Sequence, residues 1–312
     1  MEPVLSDPVL QFRPDTVRAV RAMYGLDGPG RMAEAVRILD GWVKKQDHFK
    51  RKDFDPLFLE AIIISCKGSV ERAKSRLDKY LTVRTMLPRF FELVDVNELK
   101  DMHKIFKMLV CPKTTEDYCR VFINKVTPLP VTRTHVFDFY QCAVIFCEYV
   151  RAHDYFDGLH VVLDYTDINL SNLISAMNPI DLSQAFSVLV EGYGLRVKGI
   201  HVITASKVVD VLVSMFKQIL SKKLGERIRV YKTKESLLEV LPKNILPAEY
   251  GGTERIVDEF HNDWLKLLGS EKHLEYIESL KYFTIDEDIR PKDKFNDQYM
   301  GMPGSFRSLS VD

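Results

Sequence analysis

Residues 199–252 constrain the fold more than any other stretch, because their hydrophobic period changes repeatedly over a short length. Residues 199–204 (GIHVIT) are β-branched and apolar, the composition of a buried strand. Residues 207–224 take a helical period. Val209, Leu212, Val213, Phe216, Ile219 and Leu220 fall on one stripe, with Asp210, Ser214, Lys217 and Ser221 off it. Gly225 can stop that helix. Residues 226–231 read as another short strand, and residues 246–252 (LPAEYGG) close the unit as a rigid turn.

The same region is charged differently from the whole. Between residues 196 and 234 ten Lys and Arg stand against Asp210 and Glu226, a local charge of +8, whereas the full chain balances 44 basic with 44 acidic residues. Two arrangements fit an apolar stripe in a basic field. One is a surface helix packed on its own sheet with solvated lysines, the commoner use of such a stripe. The other is a movable cover over an apolar cavity, docking on an anionic surface.

A length of 312 residues suggests about two domains at the usual ~100–200 residues each. Residues 1–15 lack the basic start and apolar run of a secretory signal. No run approaches the ~18 apolar residues of a membrane span. The cysteines, at 66, 111, 119, 142 and 147, are odd in number and lack CxxC spacing. They read as reduced, mostly buried thiols of a cytoplasmic protein. No stretch combines basic residues with interleaved aromatics in the manner of a nucleic-acid surface.

In chain order, residues 1–13 read as an extended arm and residues 14–25 as a short helix before the Gly28-Pro29-Gly30 turn. Helical periods follow over residues 31–46, 53–64 (with Asp53 as cap) and 69–87. Residues 58–65 are apolar on most sides and belong at the centre of this helical unit. Val110, residues 118–125, 158–164 and 199–204 read as strands. They alternate with helices over 134–149, hydrophobic almost all round, and 178–193. That alternation predicts an α/β layer with mainly parallel strands. A last helix spans 254–268, and the chain turns irregular beyond Ile289.

Catalytic signatures are weak. Residues 191–194 (EGYG) contain GxG without the third glycine of a dinucleotide loop, and no GxSxG, HExxH or phosphate loop occurs. Asp164 and Asp167 could form an acid–base pair, but a turn after a strand uses Asp in the same way. His160 and His201 sit within strands, where a hydrogen-bonded structural role is commoner than a ligand or base. Cys66 beside Lys67 reads more simply as a helix end stopped by Gly68 than as an activated thiol. The chain is expected not to be an enzyme and to hold no metal.

The succession GLHVVLD, helix, LRVKGIHVIT, apolar helix, KKLGERIRVY, LPAEYGG resembles the CRAL-TRIO lipid-binding family. The likeness is to its tocopherol-transfer and retinaldehyde-binding branch, insect members above all. Residues 66–73 (CKGSVERA) resemble the charged turn of the helical domain that accompanies it, and YMGMPGSF at 299–306 is similar to the ending of insect members. The resemblance implies an α/β fold in which a small N-terminal helical domain (1–95) precedes a CRAL-TRIO domain (96–255). A mixed, mainly parallel sheet there is flanked by helices, with a mobile lid helix over an apolar pocket; a C-terminal helix and irregular tail (256–312) follow.

It further implies no cofactor but a bound lipophilic ligand. The contacts would come from Phe137, Tyr140, Leu159, Val161, Val188, Leu189, Tyr193, Leu195, Val197 and Ile200, with Val209, Leu212, Val213, Phe216 and Leu220 as the underside of the lid. Arg196, Lys198, Lys223 and Arg227 would contact phosphoinositide head groups. The implied activity is that of a cytoplasmic, transiently membrane-associated carrier. It would exchange one small hydrophobic molecule of tocopherol, retinoid or carotenoid class with phosphoinositide-containing membranes, without nucleic acid. A phospholipid or phosphatidylinositol exchanger, with Ser171, Ser175 and Ser187 as possible pocket polar groups, and a lipid-sensing scaffold without transfer are the alternatives. Three departures bear on head group and hinge: residues 62–67 read IIISCK where relatives carry an Arg-rich turn, Thr204 and Ser206 replace an Asn and a Pro, and Tyr165-Thr166-Asp167 replaces an acidic-Gly pair.

Overall fold

The computed structural model describes residues 6–290. The irregular tail expected beyond Ile289 falls almost wholly on residues outside that range, as does the 299–306 likeness.

Four helices come first: α1 (Thr16–Ala22), α2 (Arg31–Val43), α3 (Pro56–Ser65) and α4 (Val70–Met86). α3 is central, as its all-round apolarity requires, with Leu59, Ile62 and Ile63 almost fully buried among α2, α4 and a later helix. Its cap is Asp55, not Asp53. The Asp55 carboxylate accepts from the Leu57 amide at 2.7 Å, and Pro56, which has no amide hydrogen to lose, suits the first helical position.

Then come α5 (Lys100–Ile105), β1 (Phe106–Val110), β2 (Cys119–Val126), α6 (Arg133–His153), β3 (Gly158–Asp164), α7 (Leu170–Ala176) and α8 (Pro179–Phe186). α8 runs on into a π-helical turn, Ser187–Gly192. β4 (Val197–Ile203), α9 (Val209–Ile219), α10 (Lys222–Gly225), β5 (Ile228–Tyr231), α11 (Val257–Leu268) and α12 (Glu271–Ser279) complete the chain. The five strands lie in order β1-β2-β3-β4-β5, with β1 antiparallel to β2 and the rest parallel. This is the mainly parallel α/β sheet expected from the alternation of elements.

The expected 207–224 helix is instead two, α9 and α10, parted where Leu220 turns extended (φ −77°, ψ 150°). α7 and α12 were not anticipated. Each carries a legible start, Asn169 accepting from the Ser171 and Asn172 amides and Ser270 preceding the acidic first turn of α12.

Buried polar groups fasten the layers. On α6, Glu148 accepts from Tyr80 at 3.0 Å and also from Arg84 and Tyr193, so one carboxylate joins α4, α6 and the turn after α8. Asp164 ends β3 by accepting from the Thr166 amide and hydroxyl and from Tyr250 at 3.0 Å, a turn role. Tyr250 thereby pins the LPAEYGG turn, where a side chain at Gly252 would lie 1.8 Å from the Leu246 carbonyl oxygen. His160 and His201 share a hydrogen bond at 3.0 Å. All five cysteines are free, and four of them are buried.

Burial pushes His201, His261 and His273 each down to about 4. They are neutral in the fold, whereas an unfolded histidine titrates near ~6.5. Between those values the unfolded chain binds more protons, so stability falls as pH drops, by up to about 1.4 kcal/mol per pH unit for each proton taken up. Urea unfolding should show a clearly lower midpoint near pH ~5 than near pH ~7. An unchanged midpoint would contradict neutral burial of the three rings.

Candidate functional site

An apolar cavity of about 180 Å³ lies between one face of the sheet and the helices that cover it. Strand alternation supplies the floor: Phe122 and Asn124 from β2, Leu159, Val161 and Leu163 from β3, Val197 and Ile200 from β4. The β3–β4 register shifts beside Leu159 and His160, which lets Val197 and Ile200, an odd interval apart, face the same side. α6 supplies one wall through Val136, Tyr140, Ala143, Cys147 and Val150, a strict i, i+4, i+7, i+11, i+14 stripe. α7, α8 and the π turn add Leu173, Leu182, Phe186, Leu189 and Val190. α9 and α10 close it with Phe216, Leu220 and Leu224; the Phe216 ring meets Phe186 edge-on at 5.6 Å.

Of the fifteen residues expected to contact a ligand, the cavity brings together nine: Tyr140, Leu159, Val161, Leu189, Leu195, Val197, Ile200, Phe216 and Leu220. Six stand elsewhere. Phe137 is off the α6 stripe and packs on Phe90 at 5.1 Å and under the Arg89 guanidinium. Val188 and Tyr193 are fully buried away from the lining. The wider π turn aims Leu189 and Val190 inward, while Tyr193 stacks edge-on with Tyr80 at 5.5 Å and donates to Glu148. On α9 only the C-terminal half reaches the cavity. Leu212 is buried in packing outside it, and Val209 and Val213 are half-buried. Ser171, Ser175 and Ser187 are not among the lining residues.

Asn124 was missed because a polar residue in a strand ordinarily reads as facing outward. Ala143, Cys147 and Val150 were missed although the period of α6 carries them. Among the described residues no group of three His, Cys, Asp or Glu is placed to hold a metal ion.

Beside the cavity an open groove of about 800 Å³ runs between the helical unit and the sheet. All four of the expected cations, Arg196, Lys198, Lys223 and Arg227, line it. So do Lys67, Arg72, Arg76 and Lys79 from the facing side, with Glu71 as the one acidic residue. Asp157 holds two of them, Lys198 at 2.8 Å and Arg196 in a bond shared with Tyr24. Burial opposes the Asp157 charge, but Lys198, Tyr24 and Arg196 outweigh it and keep its carboxyl below the ordinary range. Arg227 donates to the Val197 carbonyl and Arg76 to that of Glu191. Leu195, Val197 and Leu224 line both cavity and groove, so a single layer of side chains separates hydrocarbon from cations.

No single helix among the described residues is long and apolar enough to cross a membrane. Leu170–Ala176 and Pro179–Gly192 pass that test only jointly and are bent by 83°. The chain is 24% identical over 226 residues to proteins named alpha-tocopherol transfer protein-like from Mus musculus and Homo sapiens. That match takes in 72% of this chain and 66% of theirs, just under two thirds of the relatives' length. The crystal structure of Sfh5 superposes with a TM-score of 0.45 at 12% identity, covering 80% of this chain and 92% of that one. Residues 107–252 match the CRAL/TRIO domain family, spanning β1 to the LPAEYGG turn and so the whole cavity floor and cover. Residues 107–252 of this chain are therefore a CRAL/TRIO domain.

Proposed function

We propose that this chain is a carrier which holds one small hydrophobic molecule, of tocopherol, retinoid or carotenoid class, beneath α9 and exchanges it with phosphoinositide-containing membranes without changing it covalently. The observation that carries this reading is the shared wall: Leu195, Val197 and Leu224 face hydrocarbon on one side and eight cations on the other. An anionic head group drawn to Lys223 would act on the same short helix whose Leu224 seals the cavity. Kinship with proteins named for tocopherol transfer supports the ligand class. The reading divides the chain into a helical unit (1–95), the carrier domain (96–255) and a C-terminal segment (256–312), and places it in the cytoplasm with transient membrane contact.

The cavity is small for a lipophile. Small-molecule pockets run to about 300–1,000 Å³, and at about 180 Å³ this one must widen to load. Displacing α9 and α10 is the least costly way, since α9 exposes Val211 and rests on the fold through one face. A phospholipid exchanger is the weaker reading because its lining would need to seat a phosphate, and the lining holds no cation.

The test is denaturing organic extraction of the purified chain, followed by mass and absorption spectra. A stoichiometric chromanol, retinoid or carotenoid is expected. Phospholipid alone would replace this reading with the exchanger. Permanent occupancy with no transfer between vesicles would replace it with the sensing scaffold.

A further inference from the structure

The cavity is hydrocarbon apart from a few atoms, and two of those atoms have no partner. Asn124 Oδ1 and the Tyr140 hydroxyl are buried without a hydrogen bond, on residues only 1% and 5% exposed, and both residues line the cavity. Buried polar atoms in native folds are nearly always satisfied, so each orphan calls for an explanation. The other unpartnered side-chain atoms among the described residues, on residues such as His103 and His261, lie outside the cavity lining.

The two orphans stand on adjoining walls of the cavity, Asn124 on β2 and Tyr140 on α6, joined by a run of apolar contacts. Phe106 pairs with Val126, two residues beyond Asn124 on the same face of β2. The Phe106 ring stacks on Phe139 at 5.0 Å, and Phe139 meets Tyr140 at 5.8 Å. Burial pushes the Tyr140 phenol well up, so it stays protonated and able to donate at neutral pH.

The chemistry of the pair selects a ligand group. Asn124 Oδ1 is an acceptor and needs a donor; the Tyr140 hydroxyl can donate or accept. A hydroxyl satisfies both at once, donating to Asn124 and accepting from Tyr140. An aldehyde or ester carbonyl only accepts and leaves Asn124 orphaned. A carboxylate cannot donate either, and no cation in the lining would balance its charge. We infer that Asn124 and Tyr140 are the polar seat of the cavity and that its cargo is a lipophile ending in a hydroxyl group, seated between β2 and α6. The inference rests on the carrier reading and narrows its ligand from the tocopherol, retinoid or carotenoid class at large to the alcohols within it.

Two matched series test it on the full chain: retinol, retinal and retinyl acetate, and α-tocopherol with its acetate. Binding is read by quenching of tryptophan fluorescence. Within whichever series binds, the alcohol should be held about tenfold or more tighter than its aldehyde or ester, because a site built to bond a hydroxyl rejects analogues that lack it. Asn124→Val and Tyr140→Phe should each bring alcohol and ester to within about threefold, without weakening the ester. A purely structural role would not produce that selective loss.

Stability gives a second readout that needs no ligand. Removing an orphan from the empty protein should leave the unfolding midpoint of Asn124→Val unchanged or higher. A midpoint lower by several degrees would mean that Asn124 is paired within the fold, and would overturn the seat. Equal affinities across a series in the wild type would also overturn it while leaving the carrier reading intact. Failure of all five compounds to bind, together with an extract that holds no chromanol, retinoid or carotenoid, would overturn both.

Discussion

Phe216→Asp is expected to abolish loading of a lipophile from vesicles while the protein remains folded. Phe216 is 4% exposed and reaches the cavity from the C-terminal half of α9, its ring against Phe186. Burying one such side chain contributes roughly 1.5–3 kcal/mol, so Phe216, Leu212 and Leu220 together hold the cover with about 4–9 kcal/mol. That sum is an upper bound, because opening need not expose all three. Opening in water is correspondingly rare. At a bilayer the same stripe meets acyl chains, and most of that cost vanishes.

A carboxylate at 216 reverses both halves of that argument. It cannot stay buried unpaired, so the cover is driven off the cavity in water. It also cannot enter hydrocarbon, so the open form gains nothing at the membrane. The fold itself survives because α9 is peripheral: Asp210, Val211, Ser214, Lys217 and Gln218 already face solvent. Transfer of a fluorescent lipophile from vesicles should drop to background, with far-UV circular dichroism near that of wild type and an unfolding midpoint lowered by the burial that is lost. Phe216→Leu should keep transfer within a fewfold, since the apolar volume is largely retained. Normal transfer by Phe216→Asp would remove the lid from the mechanism.

How much of this was legible in the sequence depends on the kind of signal. The strands at 158–164 and 199–204, the buried α6 and the closing LPAEYGG turn follow from period and turn chemistry alone, and all are found. The gathering of Arg196, Lys198, Lys223 and Arg227 in one groove came from resemblance; spacing gives only a local excess of charge. What escaped depends on rotation about an axis. The π turn after α8 shifts the phase by a fraction of a turn, which is enough to trade Val188 for Val190. On α9 the stripe was read correctly, but a stripe does not say which end lies over the opening, and Val209 and Val213 do not reach it. Asn124 is the instructive miss. A polar residue facing a cavity has the same sequence signature as one facing water, and only its buried cross-strand partners Met108 and Leu163 distinguish the two.

Charge reversal at Lys67 and Lys223 together is expected to weaken binding to phosphoinositide-containing vesicles by about a hundredfold or more. Each cation near an anionic leaflet contributes about 1 kcal/mol, and two reversals change the groove by four charge units. The choice of positions matters. Arg227 donates to the Val197 carbonyl, and Arg196 and Lys198 neutralise the buried Asp157, so losing any of these would disturb the wall as well as the charge. Lys67 and Lys223 make no ion pair among the described residues and line the groove from opposite sides. Lys67, moreover, sits where the Arg-rich turn of relatives is absent, at the left-handed end of α3 (φ 58°). The double variant should therefore keep wild-type stability. Its residual vesicle binding should depend less steeply on salt, because two of the eight screened cations are reversed. Loading from neutral vesicles, which relies on the α9 stripe alone, should change little. Undiminished partitioning onto phosphoinositide vesicles would show that the cations are merely a solvated face. The membrane signal would then have to reach α10 by another route than the wall formed by Leu195, Val197 and Leu224.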